Sequence, residues 1–182
     1  MHYGGISADT ARNVLPAVFK RVKETFGWHG TANFDLGSGP FNKLSEALKK
    51  LDIINLKVDP RHYNSTYNQR NSLSATLNAD TATVSNVLNV LPTKMERRKV
   101  LLELARVMRL GCVVYITVNE GTRSGIKRCW KRDGQYNYQL NRPLKWYLKE
   151  VQSIFPYAYI TNKMIVVPIT RKILWLQSSI TS

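Results

Sequence analysis

The chain is short of acid, thiol and imidazole. Of its 182 residues only 12 are Asp or Glu, two are Cys and three are His. Cys112 and Cys129 form no close-spaced pair, and His2, His29 and His62 are scattered, so neither a zinc site nor a disulfide framework is expected. No stretch approaches the roughly 18 consecutive apolar residues of a membrane-spanning helix. The opening Met1-His2-Tyr3-Gly4-Gly5 lacks the basic-then-apolar layout of a secretory signal. A reducing cytoplasmic setting is therefore expected, the host cytoplasm if the chain is a viral or phage product, as its small size and high charge would suit. Internal repeats, low-complexity linkers and a Walker phosphate loop are absent too.

What is present in excess is positive charge. Twenty-seven Lys and Arg leave a formal net charge of +15. Such an excess draws polyanions by neutralising phosphates and releasing their counterions. The expected partner is nucleic acid, RNA or DNA, with a nucleoprotein or multi-subunit assembly as a related possibility.

Apolar spacing sketches the elements. Val14, Val18 and Val22 predict a helix within residues 7–26, with Pro16 breaking or kinking it. Residues 31–36 read as a buried strand, 41–51 as a helix and 53–58 as a second strand ending at Asp59-Pro60. Residues 61–78 are polar and read as loop apart from one short strand. The β-branched run 81–91 reads as a strand. Thr93 and Glu96 make a capping box that opens a helix running to Leu110. A strand over 112–118, a basic loop, a helix near 143–155 and a strand pair turning at Asn162-Lys163 follow. Alternating apolar strands and helices predict a Rossmann-like α/β fold, a mostly parallel sheet with helices on both faces and a shortened third-strand region. One domain over residues 1–170 and a C-terminal tail over 171–182 are expected.

The stretch "NFDLGSGPFNKL", residues 33–44, places Gly37 and Gly39 in a turn between the first strand and the next helix. Glycines let a backbone approach a ligand closely, and a carboxylate at the end of the second strand can accept from ribose hydroxyls. The dinucleotide fingerprint would need glycine at position 42, where Asn42 stands. The set Asp35-Leu36-Gly37-Ser38-Gly39-Pro40 with Asp59 resembles the S-adenosylmethionine site of class I methyltransferases. Residues 82–111, "ATVSNVLNVLPTKMERRKVLLELARVMRLG", resemble that family's fourth strand and following helix.

The resemblance implies S-adenosylmethionine as cofactor, held by Asp35, Gly37, Ser38, Gly39, Pro40, Asp59, Asp80 and Ser85, with Asn78 and Ala79 as further candidates beside adenine. It implies an acceptor site beyond the fourth strand, with Asn86 and Asn89 as candidate catalytic residues. Phe41 replaces a glycine common in the family. The [DNS]-P-P-[YFW] tetrad of amino-group DNA methyltransferases is absent. For a ribose-methyltransferase set, Lys20 is available on the first helix, but Asn86 occupies the position expected of an aspartate. The basic segment after Val118 interleaves Arg123, Lys127, Arg128, Lys131 and Arg132 with Trp130 and several tyrosines, a pattern suited to phosphates and unpaired bases. Tyr3 and Arg12 are weaker candidates for the same rim. The expected function is a methyltransferase acting on nucleic acid. Two alternatives stay open: a non-catalytic nucleic-acid-binding or assembly subunit with this fold, and a methyltransferase for a small molecule or a protein.

Overall fold

A computed structural model describes residues 12–132 and 135–170, with the side chains of 127–132, 135 and 136 outside the description. In chain order the elements are α1 (Ala17–Thr25), β1 (Ala32–Leu36), α2 (Lys43–Lys49), β2 (Ile54–Val58), α3 (Ser65–Asn78) and β3 (Thr81–Ser85). A 3-10 turn (Leu88–Val90), α4 (Lys94–Val107), β4 (Val113–Thr117), β5 (Lys127–Arg132) and β6 (Gln135–Leu140) come next, then α5 (Leu144–Gln152), β7 (Tyr159–Thr161) and β8 (Met164–Pro168).

Six strands form one sheet in the order β2-β1-β3-β4-β8-β7, and β5 with β6 makes a separate hairpin. The first four are mutually parallel, whereas β8 runs antiparallel to both β4 and β7. The chain steps outward from β1 to β2 and then crosses back to β3. The order therefore reverses between β1 and β3, and ligands of open α/β sheets bind in the crevice at such a point, beyond the carboxyl ends of the strands. This is the expected α/β architecture. The third-strand region is reduced to a single helix, so among the described residues β2 is an edge of the sheet.

The sheet's two faces differ. One carries Phe34, Leu36, Val58, Ala82, Val84, Val114, Ile116, Ile165 and Val167, packed with α3, α4 and α5 into the main apolar core. On the other, α1 sets Val18 and Val22 against Tyr115, Met164 and Val166, while α2 supplies Leu44 and Leu48. Between those two patches that face is polar, carrying Asn33, Asp35, Lys57, Thr81 and Thr83, all buried.

Several expectations are corrected. Among the described residues the first helix begins at Ala17, with Pro16 as its N-cap, and Val14 is 60% exposed. Residues expected to form a loop make α3, capped by the Asn64 side chain accepting from the Tyr67 N–H at 2.9 Å. Its buried side is only Ser72 and Ala75, so no apolar period advertises the helix. The strand expected over 81–91 stops at Ser85, where Asn86 takes φ of 59° and the chain turns. The basic segment after Val118 folds as β5 and β6, with Lys127 opposite Leu140 and Arg132 opposite Gln135. Asn162 and Lys163 both have positive φ, as a tight hairpin turn between β7 and β8 requires. Tyr3 and the tail 171–182 lie outside the described residues.

Candidate cofactor and acceptor site

Three loops meet where the strand order reverses. The first follows β1, where Gly37 and Gly39 have φ of 76° and 65°. The Gly37 and Ser38 N–H groups donate to the Val58 carbonyl at 2.7 and 3.4 Å, folding the turn over the end of β2. A Cβ built on Gly37 would overlap the Val87 methyl, so the β1 and β3 loops touch there and only glycine fits. The next link is Asp59, whose Oδ2 accepts from the Gly39 N–H at 2.9 Å while Oδ1 accepts from the Arg61 N–H at 2.9 Å. A carboxylate offers about four lone-pair sites, so accepting capacity remains for a ligand hydroxyl. The Tyr63 hydroxyl donates to the Gly39 carbonyl at 3.1 Å, and Tyr67 stacks on the Tyr63 ring at 4.6 Å.

Beneath this turn lies a polar ladder across β2, β1 and β3. Thr83 donates to Asp35 Oδ1 at 2.9 Å, and Asn55 donates to Asp35 Oδ2 at 3.1 Å. The Asn33 amide donates to Asn55 and to Thr83 and accepts from Thr81. The Lys57 ammonium, on a residue only 5% exposed, donates to the Phe41 carbonyl at 3.0 Å and to Asn42 Oδ1 at 2.9 Å, tying the glycine loop to β2. Burial pushes the Asp35 carboxyl above its ordinary range, against the opposing pull of Asn55, Thr83 and Lys57. Asp35 thus lies under the turn as a scaffold for it.

The third loop follows β3. Asn86 is exposed, and its N–H donates to the Thr117 carbonyl at 2.8 Å, holding the left-handed conformation. Residues other than glycine held at positive φ concentrate where function over-determines the backbone. Asn89 is 1% exposed, and neither of its amide atoms has a hydrogen-bond partner among the described residues. The Ser85 hydroxyl oxygen is also buried and has no partner among the described residues. Buried polar groups are normally satisfied, so these orphans at the end of β3 fit a site whose ligand supplies the partners. Together with the glycine cradle and Asp59, they suit a polar nucleoside cofactor.

Asp80 is not part of this site. It precedes β3, at the opposite end of the sheet, and its carboxylate accepts from the Thr31 N–H at 2.6 Å and from the Ala32 N–H at 3.4 Å. Burial pushes its carboxyl up, but those donors and Arg109 together hold it below the ordinary range. It fastens the start of β1 to the start of β3. Asn78 and Ala79, at the end of α3, lie at that same remote end. The reason for the misplacement is that α3 spans the whole gap from β2 back to β3, leaving no third strand to bring these residues to the ligand side.

The basic hairpin does reach the site's neighbourhood. β6 packs against the turn Leu88–Val90, directly after Asn86. Only the backbone of Lys127, Arg128, Trp130, Lys131 and Arg132 is described, so those expected contacts lie outside the described side chains. Arg123 is paired with Glu120, which also accepts from the Leu144 N–H and so caps α5. Lys20, 79% exposed at its side chain, pairs with Glu24 at 3.7 Å. No cluster of potential metal ligands occurs among the described residues.

What sequence reasoning missed was the ladder and the latches: Asn55, Lys57, Tyr63, Asn68 and Thr83. Asn68, for instance, accepts from the Asp59 N–H at 2.9 Å. The signal was there, since residues 33–36, 55–58 and 81–84 all alternate polar with apolar.

No protein-family model matches the chain, and no curated protein matches it. Among solved structures it is similar in outline to the sugar N-methyltransferase KedS8 from a Streptoalloteichus species, with 10% identity, TM-score 0.49, and coverage of 94% of this chain and 100% of that one. CalS10, an amino pentose methyltransferase from Micromonospora echinaspora solved with its cofactor bound, gives 12% identity, TM-score 0.49, and coverage of 84% and 89%. Streptomyces venezuelae DesVI gives 12%, 0.44, and coverage of 77% and 84%. The fold itself is read from the strand order and pairing.

Proposed function

We propose that this protein is an S-adenosylmethionine-dependent methyltransferase whose acceptor is nucleic acid. The observation that carries the cofactor reading is the Gly37–Gly39 turn, hydrogen-bonded to Asp59 at the point where the strand order reverses. When bound, the cofactor supplies a methyl group already activated on a sulfonium, so the protein's task is alignment rather than activation. Gly37, Ser38 and Gly39 would line its approach, Asp59 would accept from its ribose, and Ser85 and Asn89 would meet its polar groups or the acceptor's. Asn86, whose backbone is braced by Thr117 just after β3, is assigned to positioning the attacking atom.

Support for a nucleic-acid acceptor comes from the +15 charge and from the basic hairpin that packs on the post-β3 turn. By their descriptions KedS8 and CalS10 act on sugars, which says nothing about this chain's acceptor.

The test is transfer of label from methyl-labelled cofactor to single-stranded RNA, single-stranded DNA, duplexes, amino sugars and protein extracts. Label in nucleic acid, with Asn86→Ala slower by roughly 10²-fold and cofactor affinity unchanged, is the expected result. Label confined to sugar or protein would overturn the acceptor assignment. Cofactor binding without transfer to any of them would leave the non-catalytic subunit.

A further inference from the structure

We propose that α4 and α5 together form a cationic face that seats the phosphate backbone of a nucleic-acid strand and leads it to the rim of the cleft. The inference rests on the nucleic-acid part of the reading above and adds a surface that the basic hairpin does not include.

Both helices begin at the ligand end of the sheet. α4 leaves the loop after β3, and α5 runs down to β7, which is parallel to β4 through two antiparallel steps. Lys94 and Lys99 on α4, and Lys145 and Lys149 on α5, are exposed. None of the four makes an ion pair or a side-chain hydrogen bond among the described residues. The carboxylates of these helices are already committed. Glu96 closes the capping box on Thr93, Glu103 pairs with Arg106 at 2.6 Å, and Glu150 takes a two-pronged contact from Arg97 at 2.6 and 2.9 Å. A shallow groove lined by Lys94, Arg98, Leu101, Glu150, Ser153 and Ile154 joins the two helices. Trp146, with the Arg97 guanidinium 5.2 Å and the Arg142 guanidinium 5.5 Å from its ring centre, braces α5 against α4 and fixes their separation.

The positions of Lys94 and Lys145 argue that folding does not account for them. Lys23, Lys49, Arg106 and Lys149 stand in the last turns of α1, α2, α4 and α5, where the helix dipole favours cations. Lys94 and Lys145 stand in first turns, where the same dipole opposes them. An anion laid across the two helix starts reverses that sign, since dipole and ammonium then act together. Positions 145 and 149 are one i,i+4 step apart, about 6 Å along the axis, comparable to the separation of successive phosphates on one strand. The Lys145–Lys149 row with Lys94 at the start of the neighbouring helix suits a repeating anion better than a single phosphate.

The test uses the full chain and fluorescein-labelled 20-residue single strands of RNA and of DNA, with anisotropy titrations over a salt series. Three proteins are compared: wild type, Lys94→Gln/Lys145→Gln/Lys149→Gln, and the charge-matched control Lys23→Gln/Lys49→Gln/Lys50→Gln. The first triple variant should flatten the slope of log affinity against log salt by about 2, from roughly 0.7 per lost phosphate contact, while the control keeps the wild-type slope. Circular dichroism melts confirm that both variants fold. Whichever of RNA or DNA binds more tightly identifies the strand, and either supports the face. Equal flattening in both triples would reduce the effect to net charge and overturn the proposal, as would a wild-type slope in the first. Displacement of the strand by polyglutamate at equal charge concentration would reassign the face to an acidic protein. Cofactor titration of the same variants keeps this test separate, because the lysine changes leave that site intact, whereas a wild type that binds no cofactor contradicts the function and not the face.

Discussion

The two faces of the central sheet solve the same packing problem by opposite chemistry. One face is closed by Phe34, Val84, Val114 and Ile116 packed against apolar side chains of α3, α4 and α5. The other buries Asn33, Asp35, Lys57, Thr81 and Thr83 in a hydrogen-bonded ladder directly under the glycine turn. A buried polar network, when fully satisfied, rigidifies its surroundings and specifies one arrangement, and it is costly when one member is lost. The difference separates a face that holds the domain together from one that holds the site in place.

Breaking each face should therefore read out differently. The largest effect is expected on the apolar side, where Arg97→Met strands the Glu150 carboxylate, 13% exposed at its side chain, without its partner. Urea unfolding should show a loss of about 3–5 kcal/mol, with cofactor affinity little changed per folded molecule. Gly37→Ala forces a Cβ into Val87 at a φ of 76°. It should cost about 1–3 kcal/mol by urea unfolding from the backbone alone and also abolish cofactor binding by calorimetry, the combination expected at a site. An exchange across the faces sharpens the comparison further. Thr83→Val deprives Asp35 and Asn33 of a partner, whereas Val84→Thr, its neighbour on the other face, buries a new hydroxyl. Each should lose about 1–3 kcal/mol, but only Thr83→Val should also weaken the cofactor.

The smallest effect is a pH dependence. The Asp35 carboxyl is raised above the ordinary 3.8 by burial, so the folded state holds this proton more tightly than the unfolded chain. Its contribution is most favourable below that ordinary value and is lost as pH rises through the folded value. Asp35→Asn has no such titration. The difference in urea midpoint between wild type and variant should move against the wild type as pH is raised from about 4, and a constant difference would refute the assignment.

Much of this organisation was legible in the chain. Apolar runs and the Thr93–Glu96 capping box identify β1, β2, β4 and α4, because those elements are driven by local burial and local hydrogen bonds. The glycine turn and Asp59 are likewise visible, since sequence order alone brings the ends of adjacent parallel strands together. Three features were not. α3 buries only Ser72 and Ala75 and so shows no apolar period. Asp80 reads as close to the ligand in sequence because nothing local reveals that α3 carries the chain back to the other end of the sheet. The ladder depends on register between β2, β1 and β3, which pairs Asn55 with Asn33 and Asn33 with Thr81. Register is a tertiary property that alternation hints at but does not set.

The central claim is that the turn at Gly37–Gly39 and Asp59 holds S-adenosylmethionine. It is tested most directly by calorimetric titration of wild type, Asp59→Ala and Asp80→Ala with that cofactor, each variant first checked for folding. The account predicts saturable binding at one site per chain, weakened at least tenfold by Asp59→Ala and unchanged by Asp80→Ala, because the two carboxylates stand at opposite ends of the sheet. A folded wild type that takes up no cofactor, or a site lost with Asp80 and kept without Asp59, would contradict it.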